Sequence, residues 1–218
     1  MTLGAGWHEP EYKAYGIPFL PVAERMQQLR EAVQIIRSMW TQDQVKFEGK
    51  HFKIDGAWCY PRPVSPKIWV GGGGEKRLLR IVADLADGWN AVGLSVDEYA
   101  RKLEILRVFC ETAGRKLSSI ERSYYGTCLV GSNENDFRES FNRYYGQHRK
   151  AEESMDAFAE RMRSTRPFVG TVAEVVEKMN DFQELGVSYL ILYFPDKDGL
   201  SLLRRFADLV MPRFAAAS

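Results

Sequence analysis

The chain has 218 residues, 45% hydrophobic and 27% charged, the make-up of an ordinary globular domain. Its 30 basic and 29 acidic residues leave a formal charge of +1, which offers no electrostatic footprint for nucleic acid and no polybasic membrane patch. No apolar run approaches the length of a bilayer span, the N-terminus has no secretory pattern, and Cys59, Cys110 and Cys128 are too widely spaced for a metal knuckle or a disulfide framework. A single cytoplasmic domain over 1–218, with buried inert thiols and no metal site, is the expectation.

After Ile17-Pro18-Phe19-Leu20-Pro21, the residues Val22, Met26, Leu29, Val33, Ile36 and Trp40 recur at spacings of three and four, which predicts one amphipathic helix. Val45 to Ile54 alternates around Glu48-Gly49-Lys50 and reads as a hairpin, closed off by the breakers Pro61, Pro63 and Pro66. Ile68-Trp69-Val70 is a short buried-strand candidate that runs into Gly71, Gly72, Gly73 and Gly74, and Leu78, Val82 and Leu85 then stripe a helix. Asp87 to Val92 is again strand-like. Ser95 and Glu98 form a capping-box pair ahead of a helix carrying Tyr99, Leu103, Leu106 and Cys110, which Gly114 stops.

Arg122 to Val130 is a third strand candidate. The stretch of about 132–166, with Phe137, Phe141, Tyr144, Tyr145 and Phe158, is too long for an ordinary connection and predicts a helical insertion or lid. Thr171 and Glu174 make a second capping box for a helix through Val175, Met179, Phe182 and Leu185 to Gly186, and Val187 to Phe194 is the clearest strand. Strand and helix alternating four times imply an α/β fold with a parallel sheet, doubly wound or barrel.

The four glycines have a physical use: with no Cβ, a phosphate can approach the backbone where the amides of the following helix point at it, and Lys76 and Arg77 stand at the rim. Neither the dinucleotide fingerprint nor the P-loop spacing is present. His51 and His148 lack ligand-type neighbours, and no Ser/His/Asp set or carboxylate pair suggests hydrolysis.

Three segments resemble one family. These are Gly4-Ala5-Gly6-Trp7-His8-Glu9-Pro10-Glu11-Tyr12 with Tyr15-Gly16-Ile17-Pro18-Phe19; Phe47-Glu48-Gly49-Lys50-His51-Phe52 with Pro61-Arg62-Pro63; and Pro66-Lys67-Ile68-Trp69-Val70-Gly71-Gly72-Gly73-Gly74 with Ala86-Asp87-Gly88-Trp89-Asn90. Together they resemble the bacterial luciferase-like oxidoreductases, which use a flavin or a deazaflavin. The resemblance implies a partial TIM (β/α)8 barrel, about the last four βα units, beginning at the end of a fourth strand. It implies hydride transfer or monooxygenation of an organic substrate, with the deazaflavin coenzyme F-420 or FMN as cofactor. The Gly-Ala-Gly-Trp-His-Glu-Pro-Glu-Tyr stretch looks closest to the deazaflavin branch.

The resemblance also implies that Gly71, Gly72, Gly73 and Gly74, with Lys76 and Arg77, hold the cofactor's phosphate, and that Gly6 and Trp7 lie at the mouth of the pocket. Trp7 is either a wall for a planar ring or a residue packed under its loop. Glu9 and Glu11 qualify for proton transfer only if buried, and Asp87 is read as capping or salt-bridging at a helix-to-strand turn. No residue is assigned a catalytic role, since the family's strands that flank the reactive ring are not in this sequence. An alternative reading is a non-catalytic half-barrel that binds only cofactor or phosphate. In either case open strand edges favour a homo-oligomer.

Overall fold

A computed structural model describes residues 1–196 and 200–214. The chain forms two compact units, one of Met1–Asn90 with Leu103–Glu121 and the other of Ala91–Lys102 with Arg122–Ser218.

The first unit opens with β1 (Thr2–Leu3), α1 (Glu9–Ala14) and α2 (Val22–Thr41). In α2 the buried residues are Leu29, Glu31, Val33 and Ile35, so the apolar stripe is narrower than the spacing predicts and its first member, Val22, is exposed. The hairpin is present as β2 (Val45–Glu48) and β3 (Lys53–Ala57), paired Phe47 to Ile54 and Glu48 to Lys53. β4 (Trp69–Gly71) then lies parallel to both β1 and β5 (Gly88–Val92), with Trp69 opposite Thr2 on one side and opposite Gly88 on the other. Val70 and Trp89 are fully buried on these strands, as is Ile68 just ahead of β4.

α3 (Leu78–Leu85) buries Leu78, Leu79, Ile81, Val82 and Ala83. Its last carbonyls are satisfied by a cation from elsewhere in the unit: Arg115 donates to the carbonyls of Ala83 and Ala86 at 2.9 Å each, where the negative end of the helix favours positive charge. Asp87 has the structural role expected of it, since its Oδ2 accepts from the Ile68 amide and from Arg37, each at 2.8 Å.

The second unit is built on β6 (Glu121–Gly131), which is parallel to β7 (Phe168–Thr171) along Cys128 to Gly131 and to β8 (Tyr189–Tyr193) along Ser123 to Thr127. α4 (Val96–Thr112) starts on the anticipated capping box, with the Ser95 amide donating to Glu98 at 2.8 Å and the Glu98 amide to Ser95 Oγ at 3.2 Å. α7 (Val172–Glu184) starts on the Thr171–Glu174 box. Such caps typically contribute about 1 kcal/mol each. The span read as an insertion holds α5 (Glu134–Tyr145) and α6 (Met155–Thr165), and α8 (Ser201–Leu209) follows β8.

Two expectations need correction. The alternation has a further strand, β7, in residues just ahead of the Thr171 cap where the sequence pattern names none. Cys59 is half-buried rather than buried. Burial pushes the Cys110 and Cys128 thiols up, so both stay protonated at neutral pH. No helix among the described residues is long and apolar enough to cross a membrane, and no group of three or more His, Cys, Asp or Glu among them could hold a metal ion.

Candidate functional site

Two features place convergent polar groups on concave or open backbone, one in each unit. In the first unit, β4 exits into the glycines. The Gly72 amide donates to the Asn90 carbonyl at 2.9 Å, and the Gly72 carbonyl accepts from Trp89 Nε1 at 2.8 Å, so the loop's first residue is pinned to β5. Gly72 has φ +132, a backbone state that L side chains rarely adopt, and a Cβ there would lie 2.7 Å from Leu78 Cδ1. Glycine is therefore required at that point.

A turn over Glu75–Arg77 separates the glycines from α3, so the helix starts later than the sequence suggests. Among the described residues, the amides of Gly74, Lys76 and Arg77 have no hydrogen-bond partner, and the side chains of Lys76 and Arg77 are exposed. Both side chains line a shallow depression of about 220 Å³ against Ala23, Met26, Gln27 and Arg30 of α2. Arg30 and Arg80 there are both already committed to Asp84, at 2.9 and 3.1 Å. Three unpartnered amides on a tight turn, flanked by two free cations, are the donor set that a phosphate monoester takes.

Gly6 and Trp7 lie on the segment between β1 and α1. Arg25 holds this segment by donating to the carbonyls of Ala5, at 3.3 Å, and Gly6. The same guanidinium lies 4.1 Å from the centre of the Phe19 ring. Trp7 is not packed under its loop: it is 83% exposed, with its ring 5.0 Å from that of His8. Glu9 and Glu11 are exposed, Glu9 pairing with Lys13 at 2.8 Å, so neither meets the burial condition for proton transfer at neutral pH.

The second unit holds the larger cavity, about 810 Å³, within the usual range for a small-molecule site. Its floor is Thr127 of β6 and Tyr193 of β8, which are register partners, so their side chains stand on the same face. Tyr144 and Tyr145 of α5 and Phe158 and Met162 of α6 form its walls. The stretch read as an insertion thus supplies much of the lining. Burial pushes the Tyr145 phenol up to about 12, against the opposing hydrogen bond to Thr127, so it is a neutral hydroxyl at any ordinary pH.

Tyr193, at the end of β8, and Asp196, just beyond it, line this cavity. Phe194 instead packs against Phe206, 5.7 Å between ring centres. Sequence reasoning missed Arg143, Arg166 and Arg204, which also line it. Nothing in their local sequence distinguishes them from the other surface arginines.

A family model described as luciferase-like monooxygenase matches residues 1–189. The chain is similar to an F420-dependent glucose-6-phosphate dehydrogenase of Segniliparus rotundus, 28% identical over 98% of this chain and 69% of the relative. It is also similar to an uncharacterized protein of Mycobacterium tuberculosis, 31% identical over 53% of this chain but spanning only 40% of that relative's length. Among solved structures, an F420-dependent secondary alcohol dehydrogenase superposes with a TM-score of 0.76 at 19% identity, covering 97% of this chain and 68% of the other. Monooxygenase RslO1 of Streptomyces bottropensis gives 0.74 at 19%, covering 98% and 68%. These likenesses extend to the α/β fold with its parallel sheet, and with the family model matching most of its length, the chain belongs to the luciferase-like monooxygenase family.

Proposed function

We propose that this chain carries the phosphate-holding part of an oxidoreductase that uses the deazaflavin F-420, with FMN as the alternative, to act on an organic substrate. In this reading its parallel strands are the later βα units of a (β/α)8 barrel, and residues 132–166 are a helical insertion in a single domain. The observation that carries the reading is the turn after Gly74, where the amides of Gly74, Lys76 and Arg77 have no partner among the described residues. The names of relatives such as the F420-dependent glucose-6-phosphate dehydrogenases favour the deazaflavin. A structural neighbour bound to a modified FMN keeps the flavin as second choice.

When bound, the cofactor supplies hydride transfer or, as a flavin, monooxygenation; the protein's contribution is position and exclusion of water. Gly71 to Gly74 leave the backbone open to the phosphate, Lys76 and Arg77 neutralise it, and the exposed indole of Trp7, beside Gly6, offers a face for a planar ring. The test is titration of the purified chain with F-420 and with FMN, followed by cofactor fluorescence. Saturable binding of one of them is expected, weakened about tenfold or more in the Lys76→Gln/Arg77→Gln variant, since each charge-assisted contact is worth roughly 1.5–3 kcal/mol. Absence of binding by both cofactors to a folded chain overturns the reading.

A specific observation favours a second reading, self-association of a half-barrel. Among the described residues β8 is paired only with β6, and Tyr189 and Tyr193 at its ends are exposed. An open edge of this kind recruits another strand. Light scattering is expected to give a mass of at least twice 25.0 kDa; a strict monomer at high concentration would rule self-association out.

A further inference from the structure

Seven arginines on or just after α5, α6 and α8 behave in two ways. Four are neutralised by carboxylates: Arg138 by Glu134 at 2.6 Å, Arg161 by Glu153 at 2.7 Å, Arg163 by Glu134 at 2.5 Å and Arg205 by Asp136 at 2.9 Å. The other three, Arg143, Arg166 and Arg204, have no ion pair and no side-chain hydrogen bond among the described residues. Those three are the arginines that line the cavity of about 810 Å³. They come from three separate elements, so neither one helix's periodicity nor a local charge run explains their convergence.

We infer that this cavity is an oxyanion site, taking a small organic ligand that presents a phosphate ester or a polycarboxylate to Arg143, Arg166 and Arg204. Three guanidiniums around one cavity repel one another, and an anion among them removes that cost while matching their planar donor forks. The one carboxylate among the described lining residues, Asp196, accepts the Ser201 and Leu202 amides at 2.7 and 3.3 Å at the head of α8.

Arg166 has room made for it. Gly93 sits at φ +62, and a Cβ there would lie 2.8 Å from Arg166 Nη1, so glycine lets the guanidinium lie against the backbone after β5. The hydroxyls of Tyr145 and Tyr193 add hydrogen-bond donors to the same space. Phe158 and Met162 supply an apolar wall, so the ligand has an organic body as well as its charge. The inference gives the chemical class of the organic substrate proposed above and rests on that reading only for calling the ligand a substrate. The binding itself does not depend on the glycine loop.

The test uses the full chain at low ionic strength, titrated calorimetrically with pyrophosphate, with citrate and with neutral glycerol. Binding of pyrophosphate or citrate but not glycerol is expected, and the tighter of the two identifies the oxyanion. Made in a Lys76→Gln/Arg77→Gln background that removes phosphate binding at the glycine loop, each of Arg143→Gln, Arg166→Gln and Arg204→Gln should weaken it about tenfold, the triple arginine replacement should abolish it, and added salt should weaken it in the wild type. Arg161→Gln, which removes a paired arginine of the same helix region, should leave it unchanged.

The side chains replaced are exposed, and far-ultraviolet circular dichroism checks that each variant folds. The inference is overturned if the wild type binds neither anion, if the triple variant binds as well as the wild type, or if binding is lost in Lys76→Gln/Arg77→Gln instead. Arginine-dependent binding in a chain that takes up neither F-420 nor FMN would leave the site standing and remove only the oxidoreductase reading.

Discussion

Replacing Phe182 with Ala is expected to destabilise the second unit by about 3–5 kcal/mol, the usual cost of truncating a large buried aromatic. Phe182 of α7 is fully buried and meets three other rings, Tyr99 at 5.3 Å, Tyr124 at 4.4 Å and Phe168 at 5.6 Å between centres. Those rings come from α4, β6 and β7, so one side chain joins three elements on β6. Its removal leaves a cavity bounded by rigid rings that relax little, and each edge-on pair carries about 0.5–1.5 kcal/mol beyond its buried area.

Tyr124 is also held by its polar end, since its hydroxyl donates to the Leu94 carbonyl at 2.6 Å, so its ring cannot rotate freely into the space left. Urea unfolding of the variant should show the loss in its midpoint. Tyr15→Ala, at an 80% exposed aromatic of the first unit, should change stability by no more than about 0.5 kcal/mol. Equal effects of the two substitutions would mean that this aromatic cluster is not where the unit's stability lies.

What could be read from the sequence divides along local and non-local lines. The Ser95–Glu98 and Thr171–Glu174 boxes and the stops at Gly114 and Gly186 involve residues within one turn of each other, and all four stand where the spacing puts them. The Phe182 stripe is periodic and equally visible. β7 was missed because it has four residues, includes Gly170, and follows immediately on the end of α6, which gives no alternation to detect.

The cavity's arginines were missed for another reason. Arg143 and Arg138 lie on one helix of mixed charge, and only the folded positions of Glu134 and Asp156 decide that Arg138 is paired while Arg143 is not. The glycine loop stood out because its composition is itself the signal, whereas the free amides that give it a use follow from the turn over Glu75–Arg77.

Glu31 shows how a buried charge escapes sequence reading, and its replacement has the second large expected effect. It lies on the apolar side of α2 and is only 2% exposed, a position where an unpaired carboxylate would be prohibitive. Its partners are backbone groups, which leave no trace in sequence: the amides of Lys50 and His51 at 2.9 Å and of Phe52 at 3.0 Å, joined by Gln27 Nε2 at 3.1 Å. The carboxylate therefore holds the β2–β3 turn onto the helix. Burial works to raise its pKa, but the donors from His51, Gln27, Lys50 and Phe52 together outweigh burial and hold it below the ordinary glutamate range.

A carboxyl whose pKa is depressed by folding contributes stability that is present above its unfolded value, near 4.5, and lost as pH falls through the folded one. Glu31→Gln removes the charge and turns one acceptor into a donor facing amide hydrogens, which should cost about 2–3 kcal/mol at pH 7. The gap between wild type and variant should then narrow as pH falls below about 4.5, because the wild type alone loses this contribution. A difference that stayed constant from neutral to acid pH would show that Glu31 acts through its shape and not through its charge.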